Sequence, residues 1–307
     1  MNPKRHQLRN WALAFVVNFM WAAQYPAYKV ASDAMGQGAL NFWTFIIATL
    51  VLAPFLIAER RRGTARGLRR EALWPFFWLS VLGVIPPSVI QSWGIAHSTA
   101  SNGSILALTI PVMMVGMAVL LLKERPQRFF LISLALALLG TALISWADIA
   151  SGSFAGKLLL GNLAILFGGA GAAFYNAYGK KLLETHTELQ TLVYGYVIAI
   201  VICAVISWLW DPVPFYHVTS VPLRAWVGVV VLGVMSWGIG MVIWFWLLKH
   251  LELTQISVSV YMLPVLGVLL SAITLGERLS LMQIVGGVVV LGSAYLCSGQ
   301  SEPDKHA

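Results

Sequence analysis

The chain has 307 residues, of which 59% are hydrophobic and only 10% charged, and its mean hydropathy is +0.79. An average soluble domain is about 25% charged, so these few charges cannot clothe a water-facing surface, and a soluble globule is excluded. The net charge of +8 could suggest a nucleic-acid partner, but the basic residues fall in short clusters between long apolar runs. That is the membrane pattern, and no nucleic-acid partner is expected.

Ten apolar segments follow one another, at residues 11–31, 39–58, 73–93, 99–122, 129–146, 158–180, 189–210, 224–247, 253–274 and 280–297. Each is near the roughly 20 residues that cross about 30 Å of hydrocarbon as a helix. Backbone polar groups in lipid must be satisfied inside their own segment, so helices are the expected form. Strand-like alternation is absent, which argues against a β-barrel. The expected fold class is therefore all-α integral membrane, with ten transmembrane helices in the inner or plasma membrane and no soluble domain.

The first segment follows Lys4, Arg5 and Arg9, so a cleaved signal peptide is conceivable. Its length, the lack of a clear cleavage site and an internal copy further along favour a retained first helix. The two longest loops are the stretch 59–72, with six arginines, and the stretch 211–223, with Pro212, Pro214 and Pro222. Cys203 and Cys297 lie in apolar runs without CxxC spacing or a nearby His, so they are expected to be small packing residues rather than a disulfide or a metal site. No metal and no cofactor is expected.

Charge asymmetry gives the orientation. With a cytoplasmic N-terminus, sixteen of the twenty Lys and Arg fall inside, among them Arg60, Arg125, Lys180 and Lys249. Three fall outside, Lys157, Arg224 and Arg278, and Lys29 lies within the first helix. So uneven a split supports ten crossings with both termini cytoplasmic.

The chain also repeats itself. Ala22-Ala23-Gln24-Tyr25-Pro26-Ala27-Tyr28 reads against Ala172-Ala173-Phe174-Tyr175-Asn176-Ala177-Tyr178, a shift of 150. At a constant shift of 153, Trp93 aligns with Trp246, His97 with His250, Ser104 with Ser257, Pro111 with Pro264 and Glu124-Arg125 with Glu277-Arg278. Five helices is an odd number, so the second copy must enter the membrane from the opposite side. The expected domains are residues 1–149 and 150–307, two inverted five-helix repeats with a solute site at their interface.

At these residues the chain resembles the EamA branch of the drug/metabolite transporter superfamily. Trp21-Ala22-Ala23-Gln24-Tyr25-Pro26-Ala27-Tyr28-Lys29, followed by Asn41-Phe42-Trp43, resembles that family's first-helix signature, with Ala22-Ala23 where the family usually has Gly-Ser or Gly-Thr. Ser101-Asn102-Gly103-Ser104…Pro111…Lys123-Glu124-Arg125 and Gln255-Ile256-Ser257…Pro264…Gly276-Glu277-Arg278 resemble the ends of its two repeats. The resemblance runs from about Asn10 to Ser298. It implies a two-repeat carrier of metabolites, often an exporter of amino acids or related compounds. It also implies a central cavity lined by helices one, three, four, six, eight and nine.

Polar and aromatic residues inside those helices are the candidates for solute contact. Trp21, Gln24, Tyr25 and Tyr28 share one face at i, i+3, i+4, i+7 spacing. Tyr175, Asn176 and Tyr178 repeat that pattern, and Gln91, Asn102, Trp237, Trp244, Gln255 and Tyr261 extend the set. The alternative for each is packing between helices or a place in an interfacial belt. Lys29 lies about 27 Å along its helix, where it either snorkels to water or serves as a gate or a charge for a substrate carboxylate. His97 and His250 lie at helix ends, where interfacial packing is the default and proton coupling the alternative. Pro26, Pro86, Pro87, Pro111 and Pro264 are helix-kink candidates.

No Asp or Glu lies in the middle of any predicted span, so coupling by a buried carboxylate is not expected. There is no HExxH, acidic cluster or Ser/His/Asp set at membrane depth, so the chain is not expected to be an enzyme. A secondary transporter of a small organic metabolite is expected, its partners being the solute and the lipid bilayer; a channel or sensor on the same scaffold is the alternative. The aromatic face of the first helix favours a solute with a hydrophobic or ring moiety, such as an amino acid.

Overall fold

Long apolar runs with Gly and Pro at their ends fold as helices here, as lipid requires. The computed structural model describes residues 3–65, 73–107, 109–122, 130–144, 146, 156–210, 218–250, 260 and 262–298, which hold helices and no strand. In chain order these are α1 (Pro3–Ser32), α2 (Gln37–Arg61), α3 (Leu73–Trp78), α4 (Gln91–His97), α5 (Ala100–Leu106), α6 (Thr109–Leu122) and α7 (Phe130–Ile144). Then come α8 (Lys157–Leu182), α9 (Glu188–Trp210), α10 (Leu223–Val230), α11 (Met241–His250), α12 (Met262–Leu275) and α13 (Leu281–Ser298). Three π-helical stretches, π1 (Leu79–Val84), π2 (Pro86–Ile90) and π3 (Val231–Gly240), join α3 to α4 and α10 to α11 into continuous rods.

Among the described residues, five rods are long and apolar enough to cross a membrane: Gln37–Arg61, Leu73–His97, Lys157–Leu182, Glu188–Trp210 and Leu223–His250. The stretches Val265–Leu275 and Leu281–Gly292 are shorter apolar helices. At 30 residues α1 is long enough to cross, but Asn18, Gln24, Tyr25 and Tyr28 make it less apolar. Asn18, Tyr25 and Tyr28 are buried, which puts α1 at the centre of the bundle. The outer surface is apolar instead, with Leu50, Phe55, Val201, Val205 and Ile273 all more than half exposed. Lipid solvates such a surface and water does not.

The packing is crossed. α1 packs on α10, π3 and α12, all from the second half of the chain, while α8 packs on π1, π2, α4 and α6, all from the first. α2 pairs with α9, and α7 pairs with α13. Each half therefore supplies the first helix of a bundle that the other half completes.

One of these approaches needs glycine on both sides. A Cβ on Gly94 would lie 2.6 Å from the Gly161 carbonyl oxygen, and one on Gly161 would lie 2.8 Å from that of Gly94. Two side-chain-free positions let α4 and α8 meet backbone to backbone.

The π-helical stretches lie at matching places in the two rods. At the repeat shift of 153 residues, the start of π1 at Leu79 corresponds to Leu232 in π3. In the first rod Pro86 and Pro87, both buried, supply no backbone N–H to the helical ladder. The Ser88 hydroxyl also donates to the Val84 carbonyl at 2.6 Å. The other kink candidates behave differently. Pro26 lies inside the unbroken α1. Pro111 and Pro264 stand third in α6 and α12, in first turns where a missing N–H costs no helical bond.

Gly161→Val is expected to destabilise the fold by about 1–3 kcal/mol through overpacking. Thermal unfolding in detergent reads this, with Gly292→Ala, which adds a Cβ in open space, left unchanged.

Candidate functional site

A cavity of about 90 Å³ lies between α1, π2–α4, α6, α8, π3–α11 and the start of α12. Its walls hold Trp21, Gln24, Tyr25, Gln91, Tyr175, Asn176, Trp237 and Trp244, eight of the residues expected from sequence. Among the described residues no charged side chain lines it.

The wall is rigid because its aromatic groups are tied. The Trp21 and Trp244 rings lie 4.8 Å apart at a tilt of 58°. The Trp244 indole N–H donates to Asn176 Oδ1 at 2.7 Å, and the Asn176 amide donates to the Ala172 carbonyl at 2.8 Å. Asn176 is thus occupied in positioning an indole. Trp237 is held twice over. Its N–H donates to the Tyr28 hydroxyl at 2.9 Å, and its carbonyl accepts from the Tyr196 hydroxyl at 2.7 Å. Tyr175 stacks on Phe245, with ring centres 5.3 Å apart.

Three expected contacts lie elsewhere. Tyr28 is wholly buried, and its role is the bond to Trp237. Tyr178, its counterpart in the second half, is partly exposed and stacks on Phe174, one turn back on its own helix. Asn102 belongs to a separate polar cluster at the far end of α1. Its amide donates to Ser98 Oγ at 3.1 Å and Asn162 Oδ1 at 3.3 Å, and its carbonyl accepts from Gln283 at 2.7 Å. Gln255 and Tyr261 lie outside the described residues.

Lys29 sits beside that cluster and does not snorkel. Its ammonium donates to the carbonyls of Ile95, Ala96 and Ser98 at 3.2, 2.9 and 2.7 Å, capping the C-terminal end of α4. A cation there also meets the negative end of the helix dipole. Across the break at Ser98–Thr99, Glu277 caps the next helix. Its carboxylate accepts from the Ala100 and Ser101 amides at 3.0 and 2.9 Å and from Ser101 Oγ at 2.6 Å. Gly276, with φ of +69°, makes the turn that aims Glu277 back at those amides, a conformation a side chain would strain. One helix break in the first half is thus held from α1 on one side and from the turn after α12 on the other.

The two histidines behave alike. His97 stacks on Trp93 at 4.1 Å and its Nδ1 lies 2.9 Å from the Trp93 carbonyl. His250 stacks on Trp246 at 4.2 Å and its Nδ1 lies 2.8 Å from the Trp246 carbonyl. Both are packing groups at helix ends. Cys203 is a buried free thiol in α9.

Sequence reasoning missed the apolar part of the wall, Pro87, Ile110, Met114, Ala172, Met241, Val260 and Leu263, together with Ser236. One signal was available, since Ile110 and Leu263 each precede a repeat proline by one residue. Asn162 and Gln283, isolated amides in apolar helices, were available in the same way.

A helical, lipid-faced bundle around an uncharged aromatic chamber defines a multi-pass membrane transporter. The chain belongs to the EamA-like transporter family, whose sequence profile matches it twice, over residues 10–146 and 159–299. It is 26% identical over 287 residues to a probable terminal-alkyne amino-acid exporter of Streptantibioticus cattleyicolor, covering 93% of this chain and 92% of that one. It is 23% identical over 309 residues to an uncharacterized transporter of Archaeoglobus fulgidus, covering 98% and 99%. A solved crystal structure, 19% identical, superposes with a TM-score of 0.65 over 97% of this chain and 99% of that one, a likeness of fold. The protein is a multi-pass protein of the cell membrane.

Asn176→Leu leaves the buried Trp244 N–H without its acceptor and is expected to cost about 1–3 kcal/mol. Asn176→Asp keeps an acceptor and is expected to retain more of that stability in the same thermal-unfolding measurement.

Proposed function

We propose that this chain is a secondary carrier that moves a small organic metabolite, an amino acid or a close relative, outward across the membrane by alternating access. In this reading it crosses the membrane ten times as two inverted five-helix repeats, residues 1–149 and 150–307, with both termini cytoplasmic. The observation that supports it best is the make-up of the cavity. Tyr25 and Tyr175 correspond at a shift of 150, and Gln91 and Trp244, like Ile110 and Leu263, correspond at 153. A chamber built from matching positions of two inverted units can open to either side by rocking one unit against the other. The exporter relative from Streptantibioticus cattleyicolor supports an amino-acid-like solute and the outward direction.

Lys29 and Glu277 act in this reading as the closed outer gate. They tie α1 and the α12–α13 turn to the same helix break, so opening outward must exchange those charged hydrogen bonds for water. At mid-chamber the π-helical stretches flank the solute, where a local change of helical register would let each rod bend.

Proteoliposomes preloaded with unlabelled norleucine are expected to accumulate labelled norleucine in saturable counterflow. Uptake that rises linearly with concentration and ignores the internal pool indicates a channel, and no flux of this or any other small metabolite indicates a sensor. Lys29→Met and Glu277→Gln each remove charged hydrogen bonds worth roughly 1.5–3 kcal/mol. Counterflow is expected to fall about tenfold or more in each variant while the purified protein stays monodisperse. Full counterflow in both contradicts the gate assignment.

A further inference from the structure

Gln91 is a polar group of the chamber with a side-chain amide left open to the solute. Its side chain is only 5% exposed, lines the cavity and makes no hydrogen bond among the described residues. Asn176 holds Trp244 and the Ser236 hydroxyl donates to the Met20 carbonyl at 3.1 Å, whereas the Tyr175 hydroxyl, in the same wall, is likewise without a partner among the described residues. Gln91 is also fixed in place, because Gly168 of α8 lies so close that a Cβ there would stand 2.7 Å from the Gln91 Cβ. Its carboxamide brings one acceptor and two donors that face the chamber. A solute group that both accepts and donates pairs with both ends of it.

The matching position in the second repeat holds an indole. Trp244 lies 153 residues beyond Gln91, and both line the chamber. The two repeats thus meet the solute with unlike walls. One presents a free amide, and the other presents Trp244 with Trp21 stacked against it. Ile110, Met114, Val260 and Leu263 fill the remaining surface with apolar groups. No charged side chain lines the cavity among the described residues, so an ion with net charge would lose its water and meet no counter-charge.

We infer that the solute is a small molecule without net charge, bound with its alkyl or ring body against Trp21, Trp237 and Trp244 and with a compact head group, both donor and acceptor, read by Gln91. This rests on the carrier reading and narrows it to a substrate class and a specificity-determining residue. Neutral amides and zwitterionic amino acids satisfy it; the corresponding acids and amines do not.

Four probes with the same apolar body separate these cases: norleucine, hexanamide, hexanoate and hexylamine. Titration calorimetry on the purified protein is expected to show norleucine and hexanamide binding about tenfold or more tightly than hexanoate or hexylamine. Gln91→Leu is expected to weaken the two uncharged probes about tenfold or more. Gln91→Glu, which keeps the side chain's length, is expected to turn the preference towards hexylamine. Equal affinity for the charged probes, unchanged affinities in Gln91→Leu, or binding of none of the four overturns the inference. The carrier reading fails separately. Binding in the expected pattern without counterflow removes the carrier and leaves the recognition standing, whereas counterflow of hexanoate that Gln91→Leu does not alter keeps the carrier and removes the recognition.

Discussion

The structure depends on two helices that each dock into the other half of the chain. α1 lies against α10, π3 and α12, and α8 lies against π1, π2, α4 and α6. Lipid offers no hydrophobic drive for helices to associate, so close packing and interhelical hydrogen bonds must do it. The Gly94–Gly161 contact and the hydrogen bonds from Trp237 to Tyr28 and from Trp244 to Asn176 are the local forms of that force. Because the docking is crossed, neither half encloses a chamber alone, and the space between the halves is where a solute can sit.

The two ends of α1 do different work. Its middle carries Trp21, Gln24 and Tyr25 into the chamber, and its far end carries Lys29 to the carbonyls that end α4. Tyr28, between them, buttresses Trp237. A displacement of α1 would therefore reach the chamber wall and the cap on the break between α4 and α5 together. At the opposite end, Lys249 pairs with Glu188 at 3.1 Å, and Thr187 donates to Glu59 at 2.8 Å, tying α11 to α9 and the start of α9 to α2. Charged and polar ties thus sit at the rims, and the chamber between them has no charged group among its described lining.

Much of this was legible in the sequence. Helical spacing at 21, 24, 25 and 28 put four residues on one face, and three of them line the cavity. The repeat offset identified Tyr175 from Tyr25, and Gln91 and Trp244 stood out as a polar and an aromatic group deep in apolar runs. What periodicity cannot show is how a polar atom is used. Asn102 and Gln91 look alike in sequence, yet Asn102 is saturated by Ser98, Asn162 and Gln283 and Gln91 is not. Lys29 looked like a snorkelling lysine because its depth was counted along one helix, whereas its partners come from a rod 66 to 69 residues away in sequence. The apolar wall residues were invisible for a simpler reason: Ile110 and Leu263 have the same character whether they face lipid, a neighbouring helix or a solute.

The account depends on the two halves lying in opposite orientations. Single cysteines placed at Arg125 and Arg278, in a background with Cys203 and Cys297 replaced by Ala, can be labelled in intact cells with a membrane-impermeant maleimide. Labelling of 278 from outside, with 125 reached only after the membrane is opened, is the predicted result. Labelling of both positions from the same side contradicts the inverted pair, and with it the chamber's ability to face either side.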